Sequence, residues 1–447
     1  MLSRPIHFWR GYFLVASAVL FALMLYCNLR ILVPSARAEW DNAGKPRGNL
    51  SDIYPRWLGT RELLLYGHDP YSPEVTRKIQ MGYYGRALDP ARSSDPKDEQ
   101  RFAYPLYVIF VLAPFVHLPF EIVRPVFMVL FVILCSWSVL LWPRAMGLQW
   151  TASTKVAVVF LVFSTLQAMQ GVARVQLSLF VFACLSFAAW FIARRRLWWG
   201  GLTLALATVK PQLILLPVVF LVFWASASRT RRPLLVSLVL GVTILSAAAA
   251  IVEPGWIFRF LEGVSAYRRY AAGSLLSFFL PPIAAWTLTF ILVASAFAFF
   301  WNVRKAESSS PEFQVALALA MALTTLVAPI GGAYNHLLLV PAFLGLVANR
   351  RLQSEKFIEG LVFRSPWIVL VLQWVLALAV IGGNAVNRDG AIPYLYVFAS
   401  VLPFFVVLAI STIGIKLARR MPTRIPRGDE VPILLRPPET TLERRSN

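Results

Sequence analysis

The chain has 447 residues, 58% hydrophobic and only 15% charged, against about 25% charged in a soluble domain. Apolar runs of about 20 residues recur along nearly its whole length, which excludes a soluble enzyme and sets an all-α polytopic membrane protein. The formal charge of +21 does not imply a nucleic-acid partner, because the arginines cluster in short loops between apolar runs, as the positive-inside rule requires.

The first apolar run, about 9–33, follows a short basic start with Arg4 and Arg10. It is too long for a signal-peptide core and lacks a small-residue cleavage motif, so a retained span is expected. A polar stretch, 34–101, comes next and holds 10 of the 22 acids and 11 bases, so the basic excess lies elsewhere. It includes Ser51-Asp52-Ile53-Tyr54-Pro55-Arg56-Trp57 and Gly67-His68-Asp69-Pro70-Tyr71, and Phe102-Ala103-Tyr104-Pro105-Leu106 follows it. The segment 104–119 has prolines at 105, 114 and 119. Counting it as a crossing would put Arg194-Arg195-Arg196 outside, so it is expected to dip into the membrane and return.

The remaining spans are expected at about 122–142, 154–173, 177–193, 197–210, 212–226, 233–252, 275–301, 313–331, 335–349, 366–383 and 392–416. With the first, that makes about twelve, with both termini cytoplasmic. Cytoplasmic turns carry Arg194–Arg196, Arg229 with Arg231 and Arg232, Arg304-Lys305, Arg350-Arg351 and Arg419-Arg420. Spans 197–210 and 212–226 form a hairpin whose outer tip is Lys210-Pro211-Gln212, where proline breaks the helix. Residues 1–418 make one transmembrane domain, including an extracytoplasmic first loop of 34–121 with interfacial helices. The tail 419–447, rich in Pro and Arg, is expected to be a disordered cytoplasmic end. No internal repeat is visible, which weighs against a secondary transporter.

Cys27, Cys135 and Cys184 lie scattered inside apolar spans as packing residues, and the four histidines form no metal-ligand spacing. No metal and no cofactor is expected.

On this threading Asp52, Arg174, Gln176, Lys210, Gln212, Asn335 and His336 gather at the outer side, where ionisable groups near hydrocarbon mark function by default. Each also has a structural role open to it. Asp52 can cap a helix starting at Ile53, Lys210 can snorkel to the interface, and Arg174 with Gln176 can close a tight turn. His336 can be a hydrogen-bonded structural histidine. Arg268 and Arg269, between Tyr267 and Tyr270, break the positive-inside pattern and suit phosphate, or else a solvated loop.

Together one carboxylate and several cations suit glycosyl transfer from a polyprenyl-phosphate sugar. The acceptor hydroxyl must lose a proton as it attacks the anomeric carbon, which needs a positioned base. The departing phosphate needs cations around it. No Asp-x-Asp motif occurs in the chain to hold a metal for a nucleotide-diphosphate sugar.

Asp52, Tyr54 and Trp57, followed by Leu64-Leu65-Tyr66-Gly67-His68-Asp69-Pro70-Tyr71, resemble the opening of glycosyltransferase family 87. These are polyprenol-phosphate-mannose-dependent α-mannosyltransferases of the GT-C superfamily. Tyr104-Pro105 through Leu118-Pro119 is similar to that family's Tyr-Pro-Pro to Leu-Pro segment, with Leu106 in place of the second proline. Gly201 to Lys210-Pro211 is similar to its glycine-bearing helix ending in Lys-Pro, and Ala328-Pro329 to His336 to its late Ser-Pro…His segment. The family's Gly-Gln-x-Asn turn appears as Val175-Gln176-Leu177-Ser178, without the glycine and the asparagine.

The resemblance implies a GT-C-like fold with Asp52 as general base. Lys210 by the same resemblance, and Arg174, Arg268 and Arg269 by their charge and outer-side placement, would hold the donor phosphate. His336, Gln212, Gln176, Asn335, Tyr104 and Tyr71 would contact substrate. The expected function is an inverting hexosyltransferase, mannose by family default, working at the outer face of a bacterial-type inner membrane. Its partners would be a polyprenyl-phosphate sugar, a lipid or glycan acceptor and membrane lipids. The alternative is a transporter or flippase of a lipid-linked or anionic substrate, which would use the same cations to bind rather than react.

Overall fold

A computed structural model describes residues 5–42, 44, 51–267, 273–329, 332–353, 356–383 and 385–420. Its described residues form helices joined by turns and loops, with no strand among them. Among the described residues six helices are long and apolar enough to cross a membrane, or seven if one bent pair counts as a single span. Shorter apolar helices fill the space between them, so the chain is a polytopic membrane protein.

The first helix runs longer than expected. α1 (Pro5–Cys27) passes through a π-helical turn at Asn28–Leu32 into α2 (Val33–Asn42) without a break. Pro34 lacks an N–H and normally ends a helix, but the wider turn just ahead of it absorbs the missing bond. The polar stretch therefore begins as helix. Val33, Ala36, Arg37 and Trp40, at positions i, i+3, i+4 and i+7 of α2, face one cavity.

Beyond it lie α3 (Tyr54–Tyr66) and α4 (Pro73–Tyr84). Gly67 ends α3 in the left-handed conformation, and the Ser72 hydroxyl caps α4 by accepting from the Val75 N–H at 3.2 Å. Residues 106–115 hold only short turns around α5 (Ile109–Leu112), about half the length a crossing needs.

The apolar body continues with α6 (Phe120–Ala145), α7 (Ala152–Phe163), α8 (Leu166–Ala173), α9 (Leu177–Ala193) and α10 (Leu197–Ala207). It then runs through α11 (Leu215–Ser226), α12 (Pro233–Val252), α13 (Trp256–Tyr267), α14 (Leu275–Phe279) and α15 (Pro282–Val303). α16 (Pro311–Val327), α17 (Val340–Ala348), α18 (Phe357–Gly382) and α19 (Ala385–Arg420) complete it. α16 is buried on every side from Val315 to Leu326 and forms the centre of the bundle.

Several expected spans are corrected. The 154–173 span bends by 72° between α7 and α8, where the Thr165 hydroxyl caps a new helix. The 275–301 span breaks at Leu280-Pro281, since Pro281 and Pro282 cannot continue the α14 hydrogen bonds. The 335–349 span opens as a 3-10 segment, Ala333–Leu339, and the 366–383 span starts earlier, at Phe357, with Pro366 inside it. The hairpin around Lys210 is splayed: α10 packs on α9 and α12, whereas α11 packs on α15 and α16. The tail beyond Arg420 lies outside the described residues.

α10 and α12 meet through glycines, as close helix pairs in membranes do. A Cβ on Gly201 would stand 2.3 Å from the Leu234 carbonyl oxygen and 2.8 Å from the Leu238 nitrogen. Because these are backbone atoms, the helices themselves must part. Gly201→Ala is expected to cost about 1–3 kcal/mol and to lower the thermal midpoint of the purified protein in detergent.

Candidate active site

Asp52 sits just before α3, in a turn closed by the Tyr54 N–H donating to the Ser51 carbonyl at 2.9 Å. Its carboxylate does not cap the helix. Ile53 holds the capping position, without a side-chain bond. Instead one carboxylate oxygen accepts from the Gln176 side-chain amide, and the other from the Tyr83 hydroxyl at 3.4 Å. The Asp52 N–H donates to the Arg174 carbonyl at 2.8 Å, and Arg56, four residues on, donates to the Asp52 carbonyl at 2.8 Å. Backbone and side chain are thus both fixed by the turn between α8 and α9.

That turn explains one departure noted in the sequence. Val175 has φ of +53°, the left-handed region where glycine is at ease and a β-branched residue is strained. It is also fully buried, so its apolar contacts oppose that strain. The distortion puts Arg174 and Gln176 on either side of it, both against Asp52.

Lys210 lies in the turn between α10 and α11 and is only 6% exposed. Its ammonium donates to Ser178 Oγ at 2.7 Å, to Gln176 Oε1 at 3.3 Å and to Asn335 Oδ1 at 3.4 Å. The Tyr334 ring lies 5.1 Å away, a cation–π distance. Ser178 donates in turn to Asn335 at 2.6 Å. A buried ammonium is tolerable only when its donors are satisfied, and here they are. The Gln176 amide bridges the two charges, with its N–H on Asp52 and its oxygen on Lys210.

Around this pair opens a cavity of about 1240 Å³. Six cations line it, Arg37, Arg56, Lys97, Arg124, Arg174 and Lys210, against two carboxylates, Asp52 and Asp98. A site this positive suits an anionic ligand. Burial pushes the Asp52 carboxyl above the ordinary carboxylate range, against the pull of Arg174, Arg56 and Lys210. Burial raises Asp98 as well.

Of the residues expected from sequence, Asp52, Arg174, Gln176, Lys210, Gln212 and Tyr104 all line this cavity. Asn335 does not; it stands behind Lys210 and holds it. Tyr71 also stays outside the lining, and its hydroxyl donates to the Tyr104 carbonyl at 2.7 Å. His336 is buried away from the lining, with Nδ1 3.2 Å from the Ala399 carbonyl, so its contact is with the α19 backbone. Arg268 and Arg269 fall outside the described residues.

Arg56, Tyr83, Arg37 and Arg124 were missed. Arg56 was findable at i+4 from Asp52, and its guanidinium stacks 4.3 Å over the Tyr104 ring. Tyr83 carries no local signal, since only the fold of α4 onto α3 brings it to Asp52.

No curated protein and no solved structure matches the chain. A family model, that of glycosyltransferase family 87, matches residues 102–329, which include Tyr104, Arg174, Gln176 and Lys210. Asp52 lies before the matched part and is joined to it by the Gln176 and Arg174 contacts. As the match covers just over half of the chain, the protein belongs to glycosyltransferase family 87 and is a membrane glycosyltransferase.

Proposed function

We propose that the protein transfers a hexose, mannose by family default, from a polyprenyl-phosphate sugar to a lipid or glycan hydroxyl, with inversion, at the extracytoplasmic face. The observation that carries this reading is the Gln176 bridge, which sets one base beside one buried cation in a positively lined cavity.

In the step, the acceptor oxygen bonds to the anomeric carbon while the bond from that carbon to the phosphate oxygen breaks. The hydroxyl proton passes to Asp52, and the departing phosphate takes the electron pair beside Lys210 and Arg174. A single carboxylate in direct displacement gives inversion. The raised pKa of Asp52 makes it a stronger base than an ordinary aspartate, as proton abstraction requires.

Purified protein incubated with radiolabelled polyprenyl-phosphate hexoses and a membrane lipid extract tests the reading. Label should enter an acceptor with its anomeric configuration inverted. Asp52 must be ionised to act, so kcat/KM should fall as pH drops through its raised pKa. The acid limb should therefore lie above the usual aspartate value of about 3.9. Retention of configuration would exclude direct displacement.

A further inference from the structure

α19 carries Pro403 inside an unbroken run of helix. Proline has no N–H to give the carbonyl four residues before it, so the Ala399 oxygen loses its helical partner. Two side chains from distant parts of the chain replace that partner. The oxygen accepts from Gln167 Nε2 at 3.3 Å and from His336 Nδ1 at 3.2 Å, and all three residues are buried. Among the described residues this is the one bond each side chain makes, since Gln167 Oε1 and His336 Nε2 have no partner. A carbonyl oxygen has two lone pairs, and here both are taken.

Each of these side chains stands at the base of one arm of the site. Gln167 lies in the first turn of α8, the helix that ends at Arg174, whose carbonyl receives the Asp52 N–H at 2.8 Å. His336 belongs to the 3-10 segment Ala333–Leu339, where neighbouring side chains point about 120° apart. Tyr334 lines the cavity, Asn335 accepts from Ser178 and Lys210, and His336 turns to α19. Fixing His336 therefore fixes the rotation of the segment, and with it the acceptor behind Lys210. The segment and α8 also pack on each other. We propose that the Ala399 carbonyl, freed by Pro403, is the common anchor of both arms, and that Gln167 and His336 are positioning residues that set Arg174 and Lys210 for the donor phosphate. The positioning role rests on the glycosyl-transfer reading; the shared anchor does not.

The test uses the full-length protein in detergent and reads three quantities on each variant. These are the thermal midpoint, polyprenyl phosphate binding by native mass spectrometry, and kcat/KM for sugar transfer. Pro403→Ala supplies the missing N–H, which competes for the Ala399 oxygen as a third donor. It should weaken polyprenyl phosphate binding and lower kcat/KM by about tenfold or more. Its midpoint should stay level or rise, because an interior proline disfavours helix. His336→Leu, which removes the Nδ1 donor, should show the same functional loss. His336→Asn, whose side-chain amide can donate where Nδ1 did, should recover most of it. Adding His336→Leu to Pro403→Ala should lower binding, and shift the midpoint, by less than the two separate effects combined, since both act on one contact. Equal loss in His336→Asn and His336→Leu would assign the role to Nε2 and overturn the proposal. So would a Pro403→Ala protein that binds and transfers as wild type does, or one whose loss follows a falling midpoint. Variants that alter polyprenyl phosphate binding as stated, in a protein that transfers no sugar, would leave the anchor standing and remove the enzymatic reading instead. Wild type that binds no polyprenyl phosphate would remove the positioning role together with that reading.

Discussion

Asp52→Asn is expected to lower the rate of sugar transfer by about 10²- to 10⁴-fold while leaving polyprenyl phosphate binding intact. Asparagine has the same shape and can still accept from Gln176 and meet the Tyr83 hydroxyl, so the turn before α3 keeps its contacts. What it lacks is a basic oxygen for the acceptor proton. The check is an initial-rate measurement with labelled donor beside a binding measurement on the same preparation. Turnover equal to wild type would remove Asp52 as the base. Loss of transfer together with loss of binding would make it a donor-binding residue.

Stability separates this from misfolding, and its sign follows from linkage. Burial raises the folded-state pKa of Asp52, so between the unfolded value near 3.8 and the raised value the folded chain holds the extra proton. Stability then falls as pH rises through that window, because the buried group must ionise. At neutral pH the carboxylate is a net cost that asparagine does not carry. The variant should melt at or above the wild-type temperature while its activity is lost.

Much of the fold was legible because the bilayer imposes a simple code. Apolar length gave the spans and arginine clusters gave the turns, and most of the expected segments reappear as helices. What was not legible depended on local exceptions. The helix continues past Pro34 only because a π-helical turn precedes it, and no hydropathy pattern announces such a turn. The bend at Ser164-Thr165 is made by capping hydroxyls inside an apolar run. Proline pairs gave a stronger hint at 281 and 282, yet hydropathy carried the span across them.

The site divides in the same way. Asp52, Gln176 and Lys210 stood out because charged or amide groups are costly beside hydrocarbon. Asn335 stood out for the same reason, but it supports Lys210 rather than lining the cavity. His336 has the same chemistry and another place, against the backbone of α19, because a 3-10 segment rotates it from its neighbour Asn335. Arg37 and Arg124 were hidden by an ordinary appearance, an arginine in a polar stretch and one near a helix start. Only the cavity shows that they share a space.

Lys210→Met should lower kcat/KM by about 10²- to 10³-fold, the scale for removing a preorganised group that stabilises developing charge. Methionine replaces the length of lysine without its charge, so the loss reads electrostatics more than packing. Lys210→Arg should restore little, because the ammonium sits among three acceptors at 2.7–3.4 Å and a planar fork does not fit that arrangement. A second readout tells whether Lys210 also acts on the base. Its charge pulls the Asp52 pKa down, so removing it should move the acid limb of the pH profile to higher pH. An unmoved limb with reduced kcat/KM would confine Lys210 to the phosphate. A limb moved to lower pH would contradict the bridge through Gln176, since no loss of a neighbouring cation can make a carboxylate more acidic.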